Sequence, residues 1–292
     1  MILIADSGST KTDWALLTAN GQSTRVQTDG INPFFQNEDA VRETVSNQLL
    51  PKIGHLLWAG TITHVFFYGA GCTPEKSPIV AAAVRSVFKK AQVEVASDMV
   101  GAARALLKQE KGIACILGTG SNSCYYNGSS IEWGVPALGF ILGDEGSGAV
   151  LGKRLVADVL KNQLPESVKN KFLTQYNVTQ ADIIEHVYRQ PFPNRYLAAF
   201  SRFCAENIEE ESVRRLVYDH FEQFVQRNLE QYFTPQTKQQ MPVGFVGSIA
   251  YYYRDILTEV LQAHGMRLQQ IMQAPMEGLM EYHKKDIVPT QV

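Results

Sequence analysis

The chain has little sulfur, no long apolar run and no dominant charge. Its 292 residues contain four cysteines, Cys72, Cys115, Cys124 and Cys204, none in a Cys-x-x-Cys pair. So few thiols in so long a chain build no disulfide scaffold and read as the reduced thiols of a cytosolic protein. The six histidines are scattered and show no zinc-ligand spacing beside the cysteines. No uncharged stretch is long enough to span a bilayer. The opening MILIADSGST lacks the basic and apolar regions of a secretory signal, so the expectation is a cytoplasmic chain without membrane association. Twenty-seven basic residues against 29 acidic ones give a net charge of −2, which supplies no global field for a polyanion and argues against nucleic acid as a partner. Low-complexity linkers are also missing.

What is present is an ordinary globular composition, 45% hydrophobic and 19% charged, at a length that favours two domains over one. The first thirty residues read as an antiparallel meander, with Asn20-Gly21 as a hairpin signal. A helical stretch (Glu38 to Leu50), a buried strand (His64 to Tyr68), a helix from Pro78 to about Ala91, a strand (Val93 to Ala96) and a helix from Met99 to Lys108 follow. The grammar then restarts. Gly112 to Leu117 and Ser121 to Tyr126 flank a glycine turn, and helices fill about Glu145 to Gln231. Strand Pro242 to Val246, helix Tyr251 to His264, strand Arg267 to Met272 and helix Met276 to Lys285 close the chain. An α/β duplication with a cleft between its halves is predicted. The domains are expected over 1–110 and 111–275, with the C-terminal helix 276–292 a candidate to complete the first.

Two loops occupy equivalent places in the repeats. Asp6-Ser7-Gly8-Ser9-Thr10-Lys11 puts a carboxylate at a strand end before small hydroxylated residues, and Gly118-Thr119-Gly120-Ser121 repeats the turn chemistry. Glycine lets backbone N–H groups approach a polyphosphate, hydroxyls add donors, and a carboxylate can hold Mg²⁺ through water. Either turn alone also fits an ordinary hairpin; the pair favours a nucleotide. Neither matches the Walker pattern or a dinucleotide fingerprint. Asp98 lies between a strand and a helix, where it could cap the helix or project from the strand's carboxyl end. Asp144 and Glu145, between glycines in GDEGSG, offer acceptors to a polyhydroxylated ligand. Gly247, Ser248 and Ala250 follow a strand in a turn suited to packing an adenine.

The ordered set ADSGSTKTDW, SDMVGAARA, ILGTGSNS, GDEGSG and GFVGSIA resembles the BadF/BadG/BcrA/BcrD ATPase family, and within it the N-acetylglucosamine kinase-like sugar kinases of the actin, Hsp70 and hexokinase superfamily. The motifs run from Asp6 to Ala250. The resemblance implies two duplicated ribonuclease H-like domains and a kinase that uses ATP and Mg²⁺ to phosphorylate an amino-sugar hydroxyl, most simply N-acetylglucosamine to its 6-phosphate. Gly8, Ser9, Thr10 and Lys11 would form one phosphate loop and Gly118, Thr119, Gly120 and Ser121 the other. Asp6 would lie near Mg²⁺, Asp98 would be the general base, and Gly247, Ser248 and Ala250 would lie beside adenosine. Asn32, in GINPF, and Gly139, Asp144 and Glu145 would bind the sugar. A homodimer is compatible with the resemblance. The animal N-acetylglucosamine kinases carry Gly-Trp-Gly before this acidic pair, where this chain has Ala137, Leu138 and Gly139, with Trp133 as a candidate substitute. Glucosamine and N-acetylmuramic acid therefore stay open as substrates. So do an activator ATPase with an iron–sulfur cluster at Cys72 and Cys115, and a sensor without catalysis.

Overall fold

The computed structural model describes residues 1–18, 20–59, 61–234 and 236–287. Residues 288–292 of the expected C-terminal helix lie outside them. The chain packs as two compact units, one of residues 1–109 with 274–292, the other of residues 110–273.

In the first unit β1 (Ile2–Ser7), β2 (Lys11–Leu17) and β3 (Ser23–Asp29) form the antiparallel meander, and β4 (His64–Gly69) and β5 (Gln92–Ser97) add parallel strands to give the order β3-β2-β1-β4-β5. Alternation along β1 and β4 divides their side chains between two faces. Leu3, Ala5, Trp14, Val65 and Phe67 form one core with α1 (Glu38–Thr44), α2 (Leu50–Ile53) and α3 (Ser77–Val87). The opposite face is covered by α4 (Asp98–Leu107), which follows β5 directly. α3 stops before the expected Ala91 because Phe88 leaves the helical region at φ −103°, ψ 65°.

The second unit repeats the order. Strands β6 (Gly112–Leu117), β7 (Ser121–Tyr126) and the short β8 (Ile131–Trp133) are antiparallel, and β9 (Pro242–Val246) and β10 (Arg267–Met272) run parallel to β6, giving β10-β9-β6-β7-β8. Between β8 and β9 come α5 (Gly139–Leu142), α6 (Gly148–Leu160), α7 (Glu166–Tyr176), α8 (Gln180–Arg189), α9 (Pro193–Ala199), α10 (Ser201–Glu206) and α11 (Glu211–Arg227). Here α6 begins three residues after the expected Glu145, because Asp144 at φ 56° and Gly146 at φ 80° form a turn no helix accommodates. The expected helix over Tyr251 to His264 is two helices, α12 (Ser248–Tyr252) and α13 (Arg254–Ala263). After β10 the chain returns to the first unit as α14 (Met276–His283), which packs on α4 and β1.

Candidate active site

In the first unit the turn between β1 and β2 is open to solvent at Gly8, Ser9, Thr10 and Lys11, yet its backbone is braced from behind. Gly8 N–H donates to Lys11 O at 3.0 Å, and Gly30 N–H donates to Thr10 O at 3.1 Å. A Cβ on Gly30 would sit 2.5 Å from Gly8 O and 2.6 Å from Thr10 N, so only glycine lets the returning chain lie against this loop. Ser7 Oγ is 2.6 Å from Thr12 Oγ1 and accepts from Ile31 N–H at 3.0 Å, tying both ends of the turn to the same segment. Asn32, which is buried, donates from Nδ2 to Ser9 Oγ at 2.8 Å and accepts Phe34 N–H at 3.0 Å. Its amide thus ties the β1–β2 turn to the turn at Phe34.

Asp6 lies at the carboxyl end of β1, opposite Asp13 of β2 and beside Tyr68 of β4. Burial pushes its pKa up to about 7, and the negative charges of Asp13 and Asp98 push in the same direction. Asp13 was not singled out in the sequence, although the hairpin register across the Gly8 turn places it there. Lys11 forms an ion pair with it at 2.9 Å. Asp98 opens α4 at the carboxyl end of β5 but does not cap it. Ser97 is the N-cap, accepting Val100 N–H at 3.3 Å, while Asp98 accepts the adjacent Met99 N–H at 2.9 Å and its own N–H. The capping alternative is thereby corrected: Ser97 is the residue that caps the helix, and Asp98 only adds contacts to N–H groups of its first turn. Burial raises its pKa.

Among the described residues no group of three or more His, Cys, Asp and Glu is placed to hold a metal ion. The charges of Asp13 and Asp98 act on Asp6 against the opposing charges of Lys11 and Arg25.

In the second unit Thr119 is exposed at the tip of the β6–β7 turn. Gly118 O and Thr119 O accept Gly148 N–H at 2.8 Å and Ala149 N–H at 3.1 Å, so the first turn of α6 fixes the loop. Gly247, at φ 125°, stacks its backbone on the end of β6, where a Cβ would come 2.2 Å from Leu117 O. Ser248 beside it is exposed. Ala250 is a correction: it is fully buried in the core and presents nothing to a nucleotide.

The acidic pair is split. Asp144, in left-handed backbone, turns its carboxylate to the glycine loop, where it accepts the Ser121 and Gly139 N–H groups; burial nevertheless raises its pKa. Glu145 has different partners: it is ion-paired with Arg227, with Asn228 Nδ2 at 3.5 Å. His220 lies nearby, and burial lowers its pKa to about 4, which keeps it neutral. No sequence signal pointed to Arg227 or Asn228, because neither shares a motif with Glu145. Trp133 does not stand in for the missing indole. It pairs across the strands with Tyr125, which lies about 13 Å along β7 from Ser121 at the rise of an extended chain. All four cysteines are free and buried; burial pushes Cys72 up to about 12 and Cys115 well above its ordinary value. Protonated, enclosed thiols are poor cluster ligands, which removes support from the iron–sulfur alternative.

The fold and sequence have clear relatives. No family model and no curated protein matches the chain. A solved structure from Porphyromonas gingivalis, described as a proposed N-acetylglucosamine kinase, is 48% identical over 99% of this chain and 100% of its own, with a TM-score of 0.91. A second protein so described, from Chromobacterium violaceum, is 18% identical over 97% and 99% of the two chains, with a TM-score of 0.67. A ROK family glucokinase from Streptomyces griseus, solved with glucose and AMPPNP, is 12% identical over 96% and 97%, with a TM-score of 0.55. The latter two show the shared fold alone.

Proposed function

The chain belongs to the N-acetylglucosamine kinase-like sugar kinases, and on that footing we propose that it transfers the γ-phosphoryl group of ATP to a hydroxyl of an amino sugar, N-acetylglucosamine to its 6-phosphate. That it is an ATP-dependent sugar kinase follows from the family; the sugar, the metal and the residue roles are the proposal. The carrying observation is Asp98: a carboxylate at a strand's carboxyl end, relieved of capping by Ser97 and made more basic by burial. As the sugar hydroxyl attacks the γ-phosphorus, Asp98 accepts its proton, the bond from phosphorus to the β,γ-bridging oxygen breaks, and ADP leaves. Such phosphoryl transfer is mostly positioning and charge stabilisation. Gly8, Ser9, Thr10 and Lys11 are assigned as one phosphate loop, Gly118, Thr119, Gly120 and Ser121 as the other, and Gly247 and Ser248 as the adenosine turn. Mg²⁺, when bound, neutralises phosphate charge, and Asp6 would hold it through water. Asn32, Gly139 and Asp144 bind sugar hydroxyls. Glu145 takes part with its charge already balanced by Arg227.

Four free, buried thiols support a cytoplasmic setting, and a homodimer is part of the same reading. No helix among the described residues is long and apolar enough to cross a membrane. The test is turnover with Mg-ATP across N-acetylglucosamine, glucosamine and N-acetylmuramic acid, for the native protein and Asp98→Asn. A general base contributes about 10²- to 10⁴-fold. The variant is expected to keep its melting temperature, because Ser97 caps the helix, and its sugar and ATP binding, while losing at least a hundredfold in kcat. Normal turnover by Asp98→Asn removes Asp98 from the chemistry; absence of turnover on every sugar by an ATP-binding native protein favours the sensor.

A further inference from the structure

The second unit has a cavity of about 260 Å³ that the kinase reading does not use. It lies at the amino end of β6, by Lys111, whereas the glycine loop leaves the carboxyl end at Gly118; the six-residue strand between them spans about 20 Å. Its wall is aromatic and held in place. Tyr232 is buried, within hydrogen-bond distance of Ser123 Oγ at 2.9 Å and accepting Val135 N–H at 2.8 Å. On it rests the indole of Trp133, ring centroids 4.4 Å apart and planes 32° apart. Tyr125, the cross-strand partner of Trp133, extends the same face. Although backed by this fixed ring, Trp133 remains 44% exposed.

The rim is polar. Lys111, Thr237 and Gln240 line the opening, and neither the Lys111 ammonium nor the Gln240 amide has an ion pair or side-chain hydrogen bond among the described residues. An aromatic wall with the Lys111 ammonium and the Gln240 amide at its edge suits a ligand with an apolar C–H face and a girdle of hydroxyls. That is a pyranose. A wholly apolar ligand would make no use of the rim groups, and a nucleobase would offer no hydroxyl girdle. We propose that this cavity is a second, non-catalytic site for a pyranose sugar, built entirely within the second unit and separate from the phosphoryl-transfer machinery.

The site predicts two binding events for N-acetylglucosamine in the absence of ATP. Ligand-observed NMR and tryptophan fluorescence titrations on the full chain read both, since Trp133 reports from the cavity itself. Trp133→Ala is expected to weaken one event at least tenfold, leaving the other event and kcat/KM for the sugar unchanged. Gln240→Ala, on an exposed segment, is expected to weaken the same event several-fold with an unaltered melting temperature; it decides the matter if Trp133→Ala fails to fold. A single event insensitive to both substitutions overturns the proposal, as does displacement of the Trp133-dependent event by adenosine in place of methyl glucoside. Because the readout is binding, it stands apart from kinase activity: loss of the Trp133-dependent event in a protein that still phosphorylates the sugar rejects this site and leaves the kinase reading intact.

Discussion

Asp6 shows how a single residue carries the electrostatics of the candidate site. Its pKa is raised from 3.8 to about 7, so the folded state holds the proton more tightly than the unfolded chain. The stabilising contribution is therefore complete below the unfolded value and is lost as pH rises through about 7. Above that pH the metal-free protein keeps mutually repelling carboxylates in one buried place, and a divalent cation relieves the repulsion. The expected outcome is a rise in melting temperature on adding Mg²⁺ that is larger at pH 8 than at pH 5.5. Asp6→Asn should be more stable than the native protein at pH 8 without metal and should lose the pH dependence of the Mg²⁺ effect. Thermal scans at both pH values decide it; an identical Mg²⁺ shift at each pH would detach Asp6 from the ion.

Among the elements, the β1–β2 turn depends on a segment that is not part of it. Gly30 packs its backbone against Gly8, Ser9 and Thr10 more closely than any Cβ permits, so Gly30→Ala must displace the loop by the amount the methyl group requires. Overpacking of this kind costs about 1–3 kcal/mol. Gly54 is the contrasting position: its φ and ψ are −56° and −38°, and a Cβ there meets nothing within 4 Å. Gly54→Ala is expected to be neutral or slightly stabilising. Calorimetric titration with a non-hydrolysable ATP analogue should show weaker binding for Gly30→Ala, about tenfold or more, and none of that loss for Gly54→Ala. The Gly8 turn was legible as a phosphate loop because the glycine and hydroxyl chemistry is local. Its support was not, since the contact from Gly30 depends on the register of β2 with β3, which brings Asp29 opposite Lys11.

For the whole molecule, the first unit is discontinuous. Its sheet is covered on one face by α14, whose Met276 and Leu279 are completely buried and whose Gly278 lies against Ala105 of α4. A directed chain of hydrogen bonds anchors it. Arg104 donates to Tyr68 Oη at 2.8 Å, Tyr68 donates to His283 Nε2 at 2.7 Å, and His283 Nδ1 donates to Asp286 at 2.7 Å. Burial lowers the His283 pKa, consistent with the neutral imidazole this direction requires. Tyr68→Phe leaves a buried imidazole nitrogen without its partner and takes one acceptor from Arg104, which keeps Glu94, at about 1–3 kcal/mol. Truncation after Gln273 removes the whole covering element, with about 1.5–3 kcal/mol for each large apolar side chain it buries. The expected results are a lowered but still cooperative melt for Tyr68→Phe, and loss of the first unit's cooperative transition on truncation, followed by calorimetry and amide exchange. A truncated chain with full protection in β1 and β4 would show α14 to be dispensable.

The sequence by itself determined the duplicated strand order, the two glycine loops and the position of Asp98 at a strand end, because these follow from side-chain alternation and turn chemistry within a few residues of chain. It reached the fold class correctly for the same reason. It left Asp98 undecided between cap and base, since Ser97 and Asp98 are both good caps and only the backbone geometry shows which oxygen meets Val100 N–H. The equivalence of Asp144 and Glu145 dissolved in the structure, where Asp144 adopts a left-handed turn and meets the glycine loop while Arg227 meets Glu145. Ala250 moved from the candidate site to the core because a helix start after a glycine turn looks the same in sequence whichever face is buried. Trp133 moved to the far end of its sheet because β7 is extended, and a few residues of extended chain outdistance any side chain's reach. Tertiary structure decided these points because each depends on contacts between residues far apart along the chain or on a backbone angle with no residue-type signature.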